Sequence, residues 1–242
     1  MHLRVKIIQT LIHINELIFF YPKLKRFYKE NLKGNDVSIL DVGANKGQSI
    51  DFFLGIVPNA KINAFEPNKK LFTLLQDKHK HSQLITVHNV GVSNVNGALE
   101  FHENIMNETS TFEELNLDSV YLEKKAKVLG IAKEDIIVDN YKVDVIKLAD
   151  FLKKDPAVFY DVLKIDVEGH ELQCLEGLFS DEVKKTPIRF IQLESHNDDM
   201  YVNNNQHGAI ENLLNANNFY KAVQIKHGFG DFAEIIYENK NL

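Results

Sequence analysis

Apolar runs alternate with amphipathic stretches along most of this chain, and the alternation predicts its elements. Val37 to Val42 is an apolar strand that runs into Gly43-Ala44-Asn45-Lys46-Gly47. Beyond the turn, Ile50, Phe53, Leu54 and Val57 recur at helical spacing until Pro58, which marks one strand–turn–helix unit. The pattern repeats with a strand at Ile62 to Phe65, a helix at Lys69 to Lys80 with Leu71, Leu74 and Leu75 inward, and a strand at Leu84 to His88. Further on come a buried strand at Tyr160 to Ile165 and a helix at His170 to Phe179, buried through Leu172, Leu175 and Leu178. A strand ending at Gln192-Leu193-Glu194 and a helix at Gly208 to Asn217, with Ile210, Leu213 and Leu214 inward, follow. Phe219 to Ile225 and Phe232 to Tyr237 are β-rich runs joined by a glycine-containing turn, an antiparallel pair. The expected fold is α/β: a doubly wound, Rossmann-like sheet, mostly parallel, with an antiparallel C-terminal hairpin.

Two segments break the pattern. In residues 1–33, Ile7, Ile8, Leu11 and Ile12 recur at helical spacing, interrupted by Gln9, Thr10 and His13 and followed by Lys23, Lys25, Arg26, Lys29 and Lys33. No small-residue cleavage site follows, and the run falls short of the ~18 apolar residues of a membrane span. An amphipathic helical extension is predicted, packed on the catalytic domain or on a second copy of the chain, without membrane contact. Residues 34–242 are then one domain. Inside it, a polar insertion around 103–141 carries Asn104, Asn107 and Asn116 and a helical patch at Val120 to Leu129. Gly97 to His102 reads as one arm of a short hairpin before it. Long polar excursions in compact domains are usually lids or binding loops, so ligand selection is expected here.

Composition narrows the function. A length of 242 residues with 44% hydrophobic content supports one well-packed domain. A net charge of −6 leaves no basic stripe to neutralise phosphates, so nucleic acid is not an expected partner. The single Cys174 excludes an internal disulfide and suits a reducing, cytoplasmic setting; its apolar surroundings predict a buried thiol.

The turn carries the first chemistry. Gly43 and Gly47 permit a tight turn and close approach to a ligand, and the amides of the new helix face the same place. Glu66 ends the second strand, 25 residues after Asp41, where nucleotide cofactors have their ribose hydroxyls read. Asn45 stands where a dinucleotide fingerprint needs its middle glycine, which weakens an NAD-type oxidoreductase, and no Lys-Ser or Lys-Thr follows Gly47 as a triphosphate loop requires. S-adenosylmethionine has no phosphate; its ammonium suits Asp41 and its carboxylate suits the turn amides. Asp41, Gly43, Ala44, Asn45, Gly47 and Glu66 are the expected cofactor residues.

The second chemistry lies at Asp166, on the C-terminal edge of its strand, where open α/β sheets bind ligands. Asp166 and Glu168 would share a face in extended geometry, with Gly169 and His170 following; Glu194 and His196 reach the same edge from the next strand. Helix capping alone is the competing explanation for the acids.

Asp41-Val42-Gly43-Ala44-Asn45-Lys46-Gly47, Phe65-Glu66-Pro67, Asn89-Val90-Gly91-Val92-Ser93, Lys164-Ile165-Asp166-Val167-Glu168-Gly169-His170-Glu171 and Gln192-Leu193-Glu194 occur in an order that resembles FkbM-type methyltransferases, over roughly residues 36–238. The resemblance implies a class I methyltransferase fold, S-adenosylmethionine as donor, and a hydroxyl acceptor on a saccharide or secondary metabolite. In that fold Gly91 and Val92 lie beside the adenine, while Ser110 and Thr111 resemble a hydroxyl pair common in the family. Methyl transfer to a hydroxyl needs alignment and a nearby base. Asp166, Glu168, His170, Glu194 and His196 are the candidates, or else the ligands of a divalent metal. A non-catalytic binding or assembly protein of the same fold is the remaining alternative.

Overall fold

The computed structural model describes residues 20–34, 36–156, 158–180, 186–195, 199–202, 206–227 and 232–242. Helix α1 (Tyr21–Asn31) has Pro22 in its first turn, where a missing N–H costs nothing, and buries Leu24 and Tyr28 one turn apart. Strand β1 (Ser38–Val42), helix α2 (Gln48–Leu54), strand β2 (Lys61–Phe65), helix α3 (Lys69–His79) and strand β3 (Ile85–His88) follow the predicted order. Asn68 caps α3, its side chain accepting from the Lys70 and Leu71 amides. Leu71 and Leu75 are buried, but Leu74 is 46% exposed, contrary to expectation, because the buried stripe of α3 is a narrow i, i+4 row.

The next strands are β4 (Gly91–Val92), β5 (Gly97–Asn104) and, after helix α4 (Val120–Leu129), β6 (Ile137–Ile146). Helix α5 (Leu148–Leu152), strand β7 (Tyr160–Ile165), helix α6 (Glu171–Leu178), strand β8 (Ile188–Ser195), helix α7 (His207–Ala216), and strands β9 (Phe219–Lys226) and β10 (Ala233–Asn239) complete the chain. The main sheet has the order β3-β2-β1-β7-β8-β10-β9. Every neighbouring pair is parallel except those of β10, which runs antiparallel to β8 and β9. A second sheet, β4-β6-β5, was not anticipated: the partner of the hairpin arm is β6, which overlaps the end of the polar insertion. Its exposed Val138, Asp139, Asn140, Lys142 and Asp144 conceal the strand periodicity.

The main sheet is buried on both faces, which is why its central strands read as continuous apolar runs. Ile39, Phe53, Ile62, Phe190 and Ile236 pack on one side with Phe20, Leu24 and Tyr28 of the α1 region. Leu40, Phe65, Leu163, Cys174, Leu193 and Phe219 pack on the other. Residues 20–32 thus share the sheet's own core, although the expected boundary lay at 33. Ile7, Ile8, Leu11 and Ile12, on which the predicted extension and oligomer contact rest, lie outside the described residues. Cys174 is buried, and burial first, then Glu171 and Glu113, push its thiol well above its ordinary range. No helix among the described residues is long and apolar enough to cross a membrane.

Candidate active site

The turn after β1 is held by its neighbours. Gly43 and Gly47 both have φ of +84°. A Cβ on Gly43 would sit 1.9 Å from the Asp166 carbonyl oxygen, and one on Gly47 would lie 2.8 Å from Leu75. Packing inside the protein, in addition to ligand access, therefore demands both glycines. The Gly43 and Ala44 amides both donate to the Phe65 carbonyl (3.1 Å each), and the Asn45 amide donates to Glu66 Oε2 (2.8 Å). These three are engaged and do not serve a cofactor carboxylate, so that part of the expected turn chemistry is narrowed. Glu66 also accepts from the Asn68 amide at 2.8 Å. Burial raises its carboxyl to about 8 despite those two hydrogen bonds, with Asp41 adding to the rise.

A polar row crosses the sheet behind this turn. Asp41 is in register with Lys164, and Lys164 with Gln192, on adjacent parallel strands. Asp41 is fully buried and accepts from the Ser49 hydroxyl. Burial pushes its carboxyl up, opposed by Lys164 and Ser49. Lys164 donates to Asp166 Oδ2 at 2.8 Å. Burial disfavours its charge, but Asp166, Asp41 and Glu234 outweigh that and raise it above the ordinary lysine range. Gln192 donates to Glu234 Oε2 (2.9 Å) and accepts from the Tyr28 hydroxyl of α1 (2.5 Å).

A cleft of about 580 Å³ opens over these groups. Gly43, Ala44, Asn45, Glu66, Gly91 and Val92 line it together with Lys164, Asp166, Glu168, Glu194 and Glu234. Gly91 packs against Phe112, whose ring lies 2.5 Å from where a Cβ would stand. Glu168 has φ of +55°, so strand geometry ends before it and a turn, not extended alternation, aims its carboxylate. Asp166, Glu168 and Glu194 nevertheless each bring an oxygen within 4.8 Å of the others. The Lys164 ammonium supplies positive charge beside Asp166. His196 lies outside the described residues.

His170 takes another role than expected. Its ring is 4% exposed, with Nδ1 2.7 Å from Glu113 Oε1 and Nε2 3.0 Å from Ser93 Oγ. Those contacts tie the insertion and the end of β4 to the start of α6 and engage both ring nitrogens, and His170 is not among the residues lining the cleft described above. Glu171, unremarked in the sequence, accepts from the Val167 amide (3.2 Å) and Gly169 amide (3.1 Å) and closes the turn. Thr111 donates to the Glu168 carbonyl at 2.8 Å, and the Ser110 hydroxyl accepts from the Asn104 amide at 3.0 Å. The hydroxyl pair therefore braces the insertion against the Asp166–Glu168 turn. Tyr201 packs under Gly169 and donates to Glu168 Oε2 at 3.2 Å. Lys164 and Glu234 were missed. A lone acid in β1, Asp41, and a lysine in the neighbouring apolar strand β7, Lys164, were the available signal for the first.

Comparison with known proteins agrees with this geometry. The model of the methyltransferase FkbM domain matches residues 41–221. The 2-O-methyltransferase NoeI of Sinorhizobium fredii is 24% identical over 193 residues, 79% of this chain and 76% of that protein. Methyltransferase 1 of Beauveria bassiana is 27% identical over 151 residues, 60% of this chain and 59% of that protein, so the match spans less than two thirds of the fungal relative. The human methyltransferase 10 domain containing protein superposes with a TM-score of 0.50 at 11% identity, over 90% of this chain and 81% of that one, which shows a shared fold. The family match spans the glycine turn, Glu66 and the Asp166–Glu171 segment: this chain belongs to the FkbM family and is an S-adenosylmethionine-dependent methyltransferase of the class I fold.

Proposed function

We propose that the enzyme methylates a hydroxyl on a small saccharide or secondary-metabolite acceptor. The observation that carries this reading is the convergence of Asp166, Glu168 and Glu194 in the cleft, with oxygens within 4.8 Å of one another. An alcohol is a weak nucleophile, and a carboxylate beside it aids the reaction by ~10²–10⁴-fold. The donor lies along the glycine turn, with its ribose at Glu66, its adenine beside Gly91 and Val92, and its methionine ammonium toward Asp41. Placing the sulfonium methyl toward the three acids aligns sulfur, carbon and acceptor oxygen, which is the larger part of catalysis in such displacements. The 2-O-methyltransferase named among the relatives supports oxygen as the acceptor atom. The net charge of −6 speaks against nucleic acid as acceptor, and the lone thiol fits a reducing cytoplasm.

Incubating the enzyme with methyl-labelled donor and a panel of hydroxyl, amine and carbon acceptors tests the reading. Label in an ether of a hydroxyl-bearing acceptor is the expected result. Label confined to nitrogen or carbon would contradict it.

A further inference from the structure

Helix α1 has two faces of opposite character. Its inner face is spent on the core, where Leu24 and Tyr28 are buried with Phe20 before the helix and Leu32 after it. Lys23, Lys25, Arg26, Lys29 and Lys33 are all exposed on the outer face. Lys25 and Lys29 stand one turn apart, with Arg26 beside them and Lys33 just past the last turn. Residues 20–34 hold five Lys or Arg and a single acid, Glu30, for a net charge of +4. The whole chain carries −6, so everything outside this segment sums to −10. A helix face that is merely solvated tends to alternate its charges in sign. Here Glu30 pairs with Arg26 at 3.0 Å, and no acid pairs with Lys23, Lys25, Lys29 or Lys33 among the described residues.

We propose that the outer face of α1 docks the enzyme on a membrane surface rich in anionic lipid headgroups. The sequence alone predicted packing without membrane contact; the packing is present, but it uses the inner face only. Four or more cations clustered on one helix are the pattern that anionic headgroups attract. The residues just before α1 include Ile7, Ile8, Leu11, Ile12, Leu17 and Ile18, which lie outside the described residues. Apolar residues next to a basic cluster supply the two signals that hold a peripheral protein on lipid. Nucleic acid would answer the charge but gains nothing from those apolar side chains. A protein that grips basic amphipathic helices would need the apolar face, which the core already occupies. A symmetric pair of copies meeting through the outer face would set like charges together.

Docking of this kind has a consequence for the cleft. Phe20, Tyr21 and Leu24 line it, so the cleft wall and the cationic face are separated by one helix thickness, about 10 Å.

The test is flotation of the full chain with vesicles of phosphatidylcholine alone, or of equal parts phosphatidylcholine and phosphatidylglycerol. The parent is expected to float with the anionic vesicles only, and less so as salt rises. One cation near such a surface strengthens binding about five-fold, so four account for about 10²–10³-fold. Combining Lys23→Gln, Lys25→Gln, Lys29→Gln and Lys33→Gln should lower vesicle affinity by that factor. Melting and affinity for S-adenosylhomocysteine should be unchanged, because all four side chains are exposed. Arg at the same four positions should bind as the parent does. Lys124→Gln with Lys127→Gln, on the exposed side of α4, should leave vesicle binding as it was. An equal loss in that control would overturn the assignment to α1. A parent that stays in solution with anionic vesicles, or floats equally with neutral ones, would overturn the docking itself. So would a four-Gln variant that floats like the parent. Salt-sensitive self-association without flotation would assign the face to a second copy instead, and tighter binding to a duplex RNA than to anionic vesicles would assign it to nucleic acid.

Discussion

On the proposed reading, Glu66 has two tasks that pull its protonation in opposite directions. In the free protein it is buried with two amides donating to it, and burial holds its carboxyl at about 8. A ribose presents hydroxyl donors, which favour the ionised form. The consequence for stability has a definite sign. The folded value lies above the ordinary 4.5, so the group's contribution is fully present below about 4.5 and is lost as pH rises through about 8. Asp41 is shifted in the same direction. The donor-free enzyme should therefore melt progressively lower from about pH 5 to 8, at up to ~1.4 kcal/mol per pH unit for each such group. Melting scans of the parent and Glu66→Gln check this; the variant should give a flatter curve, and identical slopes would contradict the assignment. At this scale the sequence exposed what chain-local chemistry could reveal. Gly43, Gly47, Glu66 and Asp166 stood out by spacing and by place at strand ends. Gln192 and Glu234 act through cross-strand register, which no local pattern encodes, and His170 needed the position of Glu113, 57 residues away.

Among the elements, α1 joins core to site. Leu24 and Tyr28 sit in the same apolar layer as Phe53 and Phe190, and the Tyr28 hydroxyl reaches Gln192. Deleting residues 1–30 would strip that layer from one face of the sheet. The expected result is aggregation or a loss of cooperative melting; a soluble variant with unchanged melting would rule out the packing role. Leu24→Ala offers a milder measure, with about 2–5 kcal/mol of destabilisation expected for a buried leucine. Elements buried on both faces were legible as apolar runs, and β1, β2, β7 and β10 lie close to where the pattern put them. Strand β6 was not, because one of its faces is solvated and its alternation is written in polar residues. The insertion it ends has a small core of its own in Leu115, Leu122, Ala126, Ile136, Met200 and Tyr201.

The whole molecule places two chemistries at one edge of one sheet. The order β3-β2-β1-β7-β8-β10-β9 puts β1 and β7 side by side at the centre, so the glycine turn and the Asp166 turn open into the same cleft. Gly43 leaves room for the Asp166 carbonyl, and the Asp166 amide donates to the Val42 carbonyl at 3.0 Å, which ties the two strand ends together. The FkbM motifs carried this architecture in outline, since their order along the chain is the order in which a doubly wound sheet delivers strand ends to its ligand edge. Acceptor identity was not legible, because Glu234 and the insertion residues that line the cleft beside Lys164 and Glu194 carry no motif of their own. Calorimetric titration of the parent and Glu66→Ala with S-adenosylhomocysteine, and of the parent with NAD, addresses the donor site at the centre of the account. It predicts one site for S-adenosylhomocysteine, weakened by about 1–3 kcal/mol in Glu66→Ala through stranded hydrogen-bond partners, and no heat with NAD. Binding of NAD with no heat from S-adenosylhomocysteine, or equal affinity of the parent and Glu66→Ala, would contradict it.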